Sequence, residues 1–124
     1  ARAVEYVGSL DSTVTGSRNG FTPILLWYAI KKYGFNGFKK IVRGCIRTSE
    51  YCVRQMNKNG IKAWKNDFAI TAVFPRPKEE IVKKWKLAVQ DDIAHIICMP
   101  HVTKDIIDQV IKDIKWVPDY KISK

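Results

Sequence analysis

The chain has 124 residues, 46% of them hydrophobic, and 22 Lys and Arg against 12 Asp and Glu, for a formal net charge of +10. That length fits one ordinary domain able to bury a core without disulfide or metal staples, and no uninterrupted apolar run reaches the ~18 residues of a membrane-spanning helix. The charge suits anionic partners in general and does not choose among nucleic acid, an anionic membrane surface and phosphorylated ligands.

In chain order, "VEYV" (Val4 to Val7) alternates like a short strand, and Gly8 ends it. The opening "ARAVEYVGSL" has no apolar centre of the signal-peptide kind, so the chain reads as cytoplasmic. The next ten residues, "DSTVTGSRNG" (Asp11 to Gly20), raise the first chemical question. Gly16 and Gly20 permit tight or left-handed backbone, so that successive N–H groups can converge on an oxyanion. Thr13, Thr15 and Ser17 add hydroxyl donors and Arg18 a fixed cationic fork, while a helix starting near Thr22 points its positive end at the loop. The spacing is neither that of a P-loop nor GxGxxG. A phosphate holder and a plain Ser/Thr-rich turn are both compatible with these residues.

"TPILLWYAIKKY" (Thr22 to Tyr33) predicts a largely buried helix, with Thr22 as N-cap, Pro23 in the tolerant first turn and Gly34 as the stop. From Gly37 to Asn59 apolar residues recur at Phe38, Ile41, Val42, Cys45, Ile46, Cys52, Val53 and Met56, a second helix closed by "NKNG". Cys45 and Cys52, seven residues apart, share one buried face, and the three cysteines read as reduced. Lys39, Arg43, Arg47, Arg54 and Lys58 fall on other faces, where a solvated surface is preferred over a phosphate-binding stripe.

Beyond Gly60, "IKAW" and "AITAVF" read as strands, the second ended by "PRP", and Lys78 to Lys86 as a short helix. A strand follows from Ile93 to Met99, closed by Pro100. The last helix carries Thr103 as N-cap, Asp105 in its first turn and one stripe of Ile106, Ile107, Val110, Ile111 and Ile114. Short strands separated by a long helical hairpin give an α+β fold, an antiparallel or mixed sheet with helices on one face.

His95, Cys98 and His101 in "HIICMPH" invite a metal reading. Strand alternation turns Cys98 away from His95, so a structural histidine is preferred. Asp91 and Asp92 are adjacent carboxylates, and "QDD" marks a turn. Trp27, Trp64, Trp85 and Trp116 are dispersed as core or rim anchors, not gathered into a stacking platform. A nucleic-acid domain would rest on charge alone, without any recognition motif.

Taken together, "VEYVGSLDSTVTGSRNG", "PILLWYAIKKYGFNGFKK", "VFPRP" and the "W-LA-Q-DIAHI--MP-VT" pattern resemble group II pyridoxal-phosphate-dependent amino-acid decarboxylases, nearest the plant-type histidine and serine decarboxylases. The matches run in order from about Val4 to Trp116. The resemblance implies the C-terminal portion of a fold type I enzyme. Residues 1–34 would end the large cofactor-binding domain and residues 35–124 would form the small α+β domain. It implies that the lysine carrying pyridoxal 5'-phosphate as a Schiff base lies upstream of Ala1, since no lysine here follows a histidine. It also implies that Ser17 and the amide near Gly16 contact the phosphate of a partner subunit's cofactor, with Arg18 and Asn19 holding the turn. The implied partners are an amino-acid substrate and a homodimer or complementary cofactor-binding half, with no membrane or nucleic acid. Phe21 departs from the His common at that place in close relatives. The alternative is a non-catalytic relative that serves as a dimerisation or interaction module.

Overall fold

The computed structural model describes residues 3–4, 9–10 and 20–116. Strands β1 (Ala3–Val4) and β2 (Ser9–Leu10) pair antiparallel, Ala3 opposite Leu10 and Val4 opposite Ser9. Of the strand expected at Val4 to Val7, Val4 lies in β1 and the rest lies outside the described residues. So does the loop 11–19, with Gly16 and Ser17.

Helix α1 runs Phe21–Lys58 but is two helices joined at Gly34, whose φ of 59° and ψ of −176° are not helical. A side chain is strained in that region of backbone space, so glycine is what permits the break. The expected stop at Gly34 is therefore real, and the chain re-enters a helix at once. The expected N-cap moves: Gly20 occupies that place with no side-chain cap bond, and Thr22 sits inside the first turn. Pro23 still falls where a missing N–H costs nothing.

The larger correction concerns burial. The first half of α1 is exposed, Trp27 at 59% and Tyr28 at 56%, although its composition predicts a buried helix. Apolar residues on all sides require surroundings on all sides, and among the described residues no element supplies them.

The second half behaves as its periodicity predicts. Cys45, Ser49, Cys52 and Met56 are buried at helical spacing, whereas Lys39, Arg43, Arg47, Arg54 and Lys58 are exposed. The buried Ser49 hydroxyl lies 2.8 Å from the Ile46 carbonyl and 3.0 Å from that of Ala69, tying the helix to the segment before the sheet.

"IKAW" is not a strand. Asn57 captures it: the Nδ2 group donates to the carbonyls of Val53 (2.9 Å) and Ala63 (2.8 Å), and Ala63 N–H donates to Oδ1 at 3.1 Å. With its backbone committed to the helix end, the segment spares only Trp64, which forms one bridge with Val73.

The sheet contains β3 (Thr71–Pro75), β4 (Ala88–Gln90) and β5 (Ile93–Ile97), all antiparallel in the order β3-β5-β4. Helix α2 (Glu79–Trp85) links β3 to β4, and α3 (Lys104–Trp116) closes the fold. Strand β4 escaped the sequence reading because it is only three residues long. It is recognisable through its turn: Asp91 takes φ 52° between β4 and β5, as expected of "QDD". Strand β5 stops at Ile97, short of the expected Met99, because Met99 N–H turns back to the Ile97 carbonyl.

Ala72, Phe74, Val89, Ala94 and Cys98 meet Cys52 and Met56 of α1 and Ile107, Val110, Ile111 and Ile114 of α3 in one core. Thr103 caps α3 as predicted, its Oγ1 accepting from Ile106 N–H at 3.3 Å. The α+β class and the antiparallel sheet with helices against one face stand.

Replacing Asn57 with Ala removes the side chain that holds residues 61–63 and leaves backbone groups without partners. The expected loss is about 1–3 kcal/mol of unfolding free energy, read as a lower urea midpoint with unchanged slope, and Asn57→Asp restores only the part due to Ala63 N–H.

Candidate functional site

The residues expected to hold an anion, Gly16 and Ser17, lie outside the described residues. Next in the chain after them comes the start of α1, whose N-cap Gly20 makes no side-chain cap bond and whose first turn holds no acidic residue. That end carries partial positive charge and is compatible with an anion.

A second region is built by tertiary packing. A cavity of about 360 Å³ opens between the end of α2, strands β4 and β5, and the first half of α3. Leu87, Ile96, Val102 and Ile107 make it apolar, and His95 and His101 both border it. Its Trp85 wall is fixed from behind, the indole N–H donating to Asp113 Oδ2 at 2.7 Å. Lys84 Nζ reaches the same oxygen at 2.7 Å. The Lys84 ammonium, seconded by the Trp85 indole and opposed by partial burial, holds the Asp113 carboxyl below the usual carboxylate range. Nothing in the sequence signals this cluster, since its members are 28 residues apart and meet only through the packing of α2 on α3.

The metal reading of "HIICMPH" does not assemble. His95 and His101 share the cavity, but Cys98 is fully buried in the core on the other side of the strand. Among the described residues no group of three His, Cys, Asp or Glu is disposed to hold a metal ion. A hydrogen bond to Cys98, together with burial, pushes the Cys52 thiol up, which keeps it protonated and unreactive. Asp91 and Asp92 sit exposed at the hairpin turn. Trp27, Trp64 and Trp116 are exposed and far apart in the chain, with no stacking platform among them.

Among the described lysines only Lys65 is half-buried, and its ammonium donates to the carbonyls of Asn66 and Ala69 at 3.3 and 3.4 Å. The others are exposed. No helix in the described residues is long and apolar enough to cross a membrane.

No family model matches the chain. Individual proteins do. Serine decarboxylase 1 of Oryza sativa subsp. japonica is 44% identical over 112 residues, covering 90% of this chain and 23% of that protein. Histidine decarboxylase of Mesorhizobium japonicum is 42% identical over 113 residues, 91% of this chain and 30% of that protein. In structure, L-methionine decarboxylase from Streptomyces sp. 590 superposes with a TM-score of 0.71 at 26% identity, covering 92% of this chain and 25% of that one. The chain matches the C-terminal portion of a group II pyridoxal-phosphate-dependent decarboxylase. It spans between about a quarter and a third of the length of the curated relatives it matches.

The fold, helices against a three-stranded antiparallel sheet, is consistent with a small C-terminal domain. Its described residues do not fit the covalent attachment of pyridoxal phosphate. That attachment needs a lysine amine that burial or a neighbouring cation holds neutral inside a closed site, and every described lysine is either exposed or committed to backbone carbonyls.

The Asp113 contacts set an acid limit on the α2–α3 packing. Its folded-state pKa is lowered, so the stability it contributes is complete above the ordinary carboxylate range, near pH 4. That contribution fades as pH falls through the folded value. Urea midpoints measured from pH 7 to pH 3 are expected to decline more steeply for the native chain than for Asp113→Asn, which starts lower and titrates less.

Proposed function

We propose that this chain supplies the C-terminal part of a decarboxylase that removes carbon dioxide from an L-amino acid, histidine or serine, with pyridoxal 5'-phosphate as cofactor. The observation that carries this is the 38–44% identity to serine and histidine decarboxylases over about nine-tenths of the chain. When bound, the cofactor supplies an electron sink for the pair left by the departing carboxylate.

This chain's own contribution is positional. The Gly16 amide and the Ser17 hydroxyl donate to the cofactor phosphate across a homodimer interface, and Arg18 and Asn19 hold the turn that presents them. The positive end of α1 lies next in the chain and supports the same anion. The domain division belongs to the same proposal: residues 1–34 close the large domain, and residues 35–124 are the small domain. The Gly34 break supports that boundary, since it separates an exposed apolar helix from one bound into a core.

A non-catalytic interaction module is the second reading, and the described lysines favour it by offering no covalent anchor. The decarboxylase reading assigns the Schiff-base lysine to residues outside this chain, and the module reading needs none.

Intact mass after treating the 124-residue chain with pyridoxal phosphate and borohydride is expected to show only scattered, substoichiometric labelling. One adduct per chain at a single lysine would overturn the assignment. In the product of the complete reading frame, Ser17→Ala is expected to weaken cofactor binding by roughly 10- to 150-fold, the worth of one hydrogen bond to a charged group at ~1.5–3 kcal/mol. Titration of the apoprotein reads this directly, and unchanged affinity would separate Ser17 from the phosphate.

A further inference from the structure

The outer face of the second half of α1 carries charge that the described residues leave unanswered. Lys39, Lys40, Arg43, Arg47, Arg54 and Lys58 are all exposed, and Glu50 is the one acidic residue between them. Six cations less one carboxylate leave +5 on residues 39–58, half of the formal +10 of the whole chain. Among the described residues the ion pairs fall on Glu79 and Asp113, and none of the six cations takes part in one. Where the row meets α3, Asp108 accepts from the Tyr51 hydroxyl at 2.9 Å. Lys104 stands over the same ring as Arg54, at 5.1 and 5.9 Å from its centre, so α3 brings a cation together with its carboxylate.

Helical geometry draws these residues into a line. At about 100° per residue the six cations fall within an arc of about 100°, opposite the buried Cys45, Ser49, Cys52 and Met56. Besides the cations, that arc holds only Glu50 and Asn57. At 1.5 Å of rise per residue the row runs about 28 Å from Lys39 to Lys58. Lys39 and Arg43, Arg43 and Arg47, and Arg54 and Lys58 are each four residues apart, and like charges at that spacing oppose helix formation. The core fixes the opposite face, so the fold gains nothing from this one, whereas an anionic partner would relieve it.

The length and chemistry of the row limit what can bind it. A single phosphorylated or carboxylated metabolite cannot reach from Lys39 to Lys58, so the anion is repeated along a polymer or over a surface. A membrane-surface helix sets an apolar face into the headgroups beside its cations, and the apolar face of this helix is spent on the core. Single strands are gripped by aromatic rings set among the cations. The arc contains no aromatic residue, and Tyr51 beside it is half-buried. A protein partner draws its affinity from buried aromatic or apolar anchors, which the arc does not offer. A nucleic-acid duplex asks for none of these, because cations that displace its condensed counterions supply the affinity.

We propose that residues 39–58 dock the phosphodiester backbone of a nucleic-acid duplex, without choice of sequence. The lack of a recognition motif agrees with this, because phosphate contacts set position and base contacts set specificity. None of the six residues is among the cofactor contacts proposed above, so duplex binding and amine formation are separable. The test is fluorescence anisotropy of a labelled DNA duplex of mixed sequence, roughly two helical turns long, titrated with the product of the complete reading frame. Binding is expected at ~10⁻⁴ to 10⁻⁶ M near physiological salt, with log K falling against log[salt] at a slope of about −5 for six phosphates. A triple variant, Arg43→Gln, Arg47→Gln and Arg54→Gln together, is expected to reduce the size of that slope by about three units. A control triple of equal charge change outside the row, Lys83→Gln, Lys86→Gln and Lys112→Gln, all exposed, is expected to reduce it by less than about one.

Lysine acetylation followed by peptide mass gives the same comparison on the unaltered protein. Lys39, Lys40 and Lys58 are expected to be shielded in the complex, while Lys83, Lys86 and Lys112 react as they do without the duplex. No binding at about 50 mM salt would overturn the proposal. So would equal losses in the two triples, which mean that overall charge and not the row attracts the duplex. Row lysines that stay reactive in the complex would overturn it as well. Tighter binding at matched salt to a single strand of the same sequence, to poly-L-glutamate or to vesicles rich in phosphatidylserine assigns the row to another anion and defeats the duplex.

Discussion

A sheet of three strands, five, five and three residues long, cannot hold itself together in water. Its existence depends on burying one face, where Ala72, Phe74, Val89, Ala94 and Cys98 meet Cys52 and Met56 of α1 and the Ile107, Val110, Ile111, Ile114 stripe of α3. At ~25 cal/mol per Å² of apolar surface removed from water, this shared core is the dominant favourable contribution. The polar contacts around it orient the helices. Tyr51 donates to the Asp108 carboxylate at 2.9 Å, joining α1 to α3, and Trp85 and Lys84 converge on Asp113, joining α2 to α3. Each is an interaction between elements that the core has already brought together.

The same constraint explains why the two halves of α1 differ so sharply. From Cys45 onward the helix supplies the sheet with its lid, and its cationic residues remain in solvent, as a face opposite a core should. Before Gly34 the helix touches none of that core. One backbone conformation open to glycine thus separates a segment whose stability is internal to the chain from one whose apolar surface is still exposed.

Much of this was legible in the sequence where a local rule governs the outcome. Gly34 breaks the helix, Thr103 caps α3, "PRP" ends β3 and the isoleucine stripe of α3 faces the core, because each depends on backbone freedom, a nearby hydroxyl or helical period. Where a distant partner decides, the sequence was silent or misleading. "IKAW" carries strand-like residues, yet Asn57 binds its backbone first. Strand β4 is too short for its alternation to register. Composition led to the expectation of a largely buried helix over residues 22–33, and the structure leaves it exposed, because no element among the described residues covers it. The cavity bordered by His95 and His101, and the Asp113 tether behind it, exist only once α2 packs on α3. Gly16 and Ser17 stood out through glycine and hydroxyl content, but their assignment to a cofactor phosphate came from ordered resemblance over nearly the whole chain, and they lie outside the described residues.

The functional account joins two facts of different kinds. The chain is 38–44% identical to serine and histidine decarboxylases over about nine-tenths of its length, and its fold is consistent with a C-terminal small domain. Yet in this chain every described lysine is exposed or donates to backbone carbonyls. Both are satisfied if the chemistry is anchored elsewhere in the polypeptide and this portion closes, braces and completes the site. The most direct measurement is amine formation by the product of the complete reading frame, supplied in turn with L-histidine, L-serine and L-methionine, with and without pyridoxal phosphate. The account predicts histamine or ethanolamine, formed only when the cofactor is present. A well-folded complete protein that binds the cofactor and forms no amine from any of the three would contradict it.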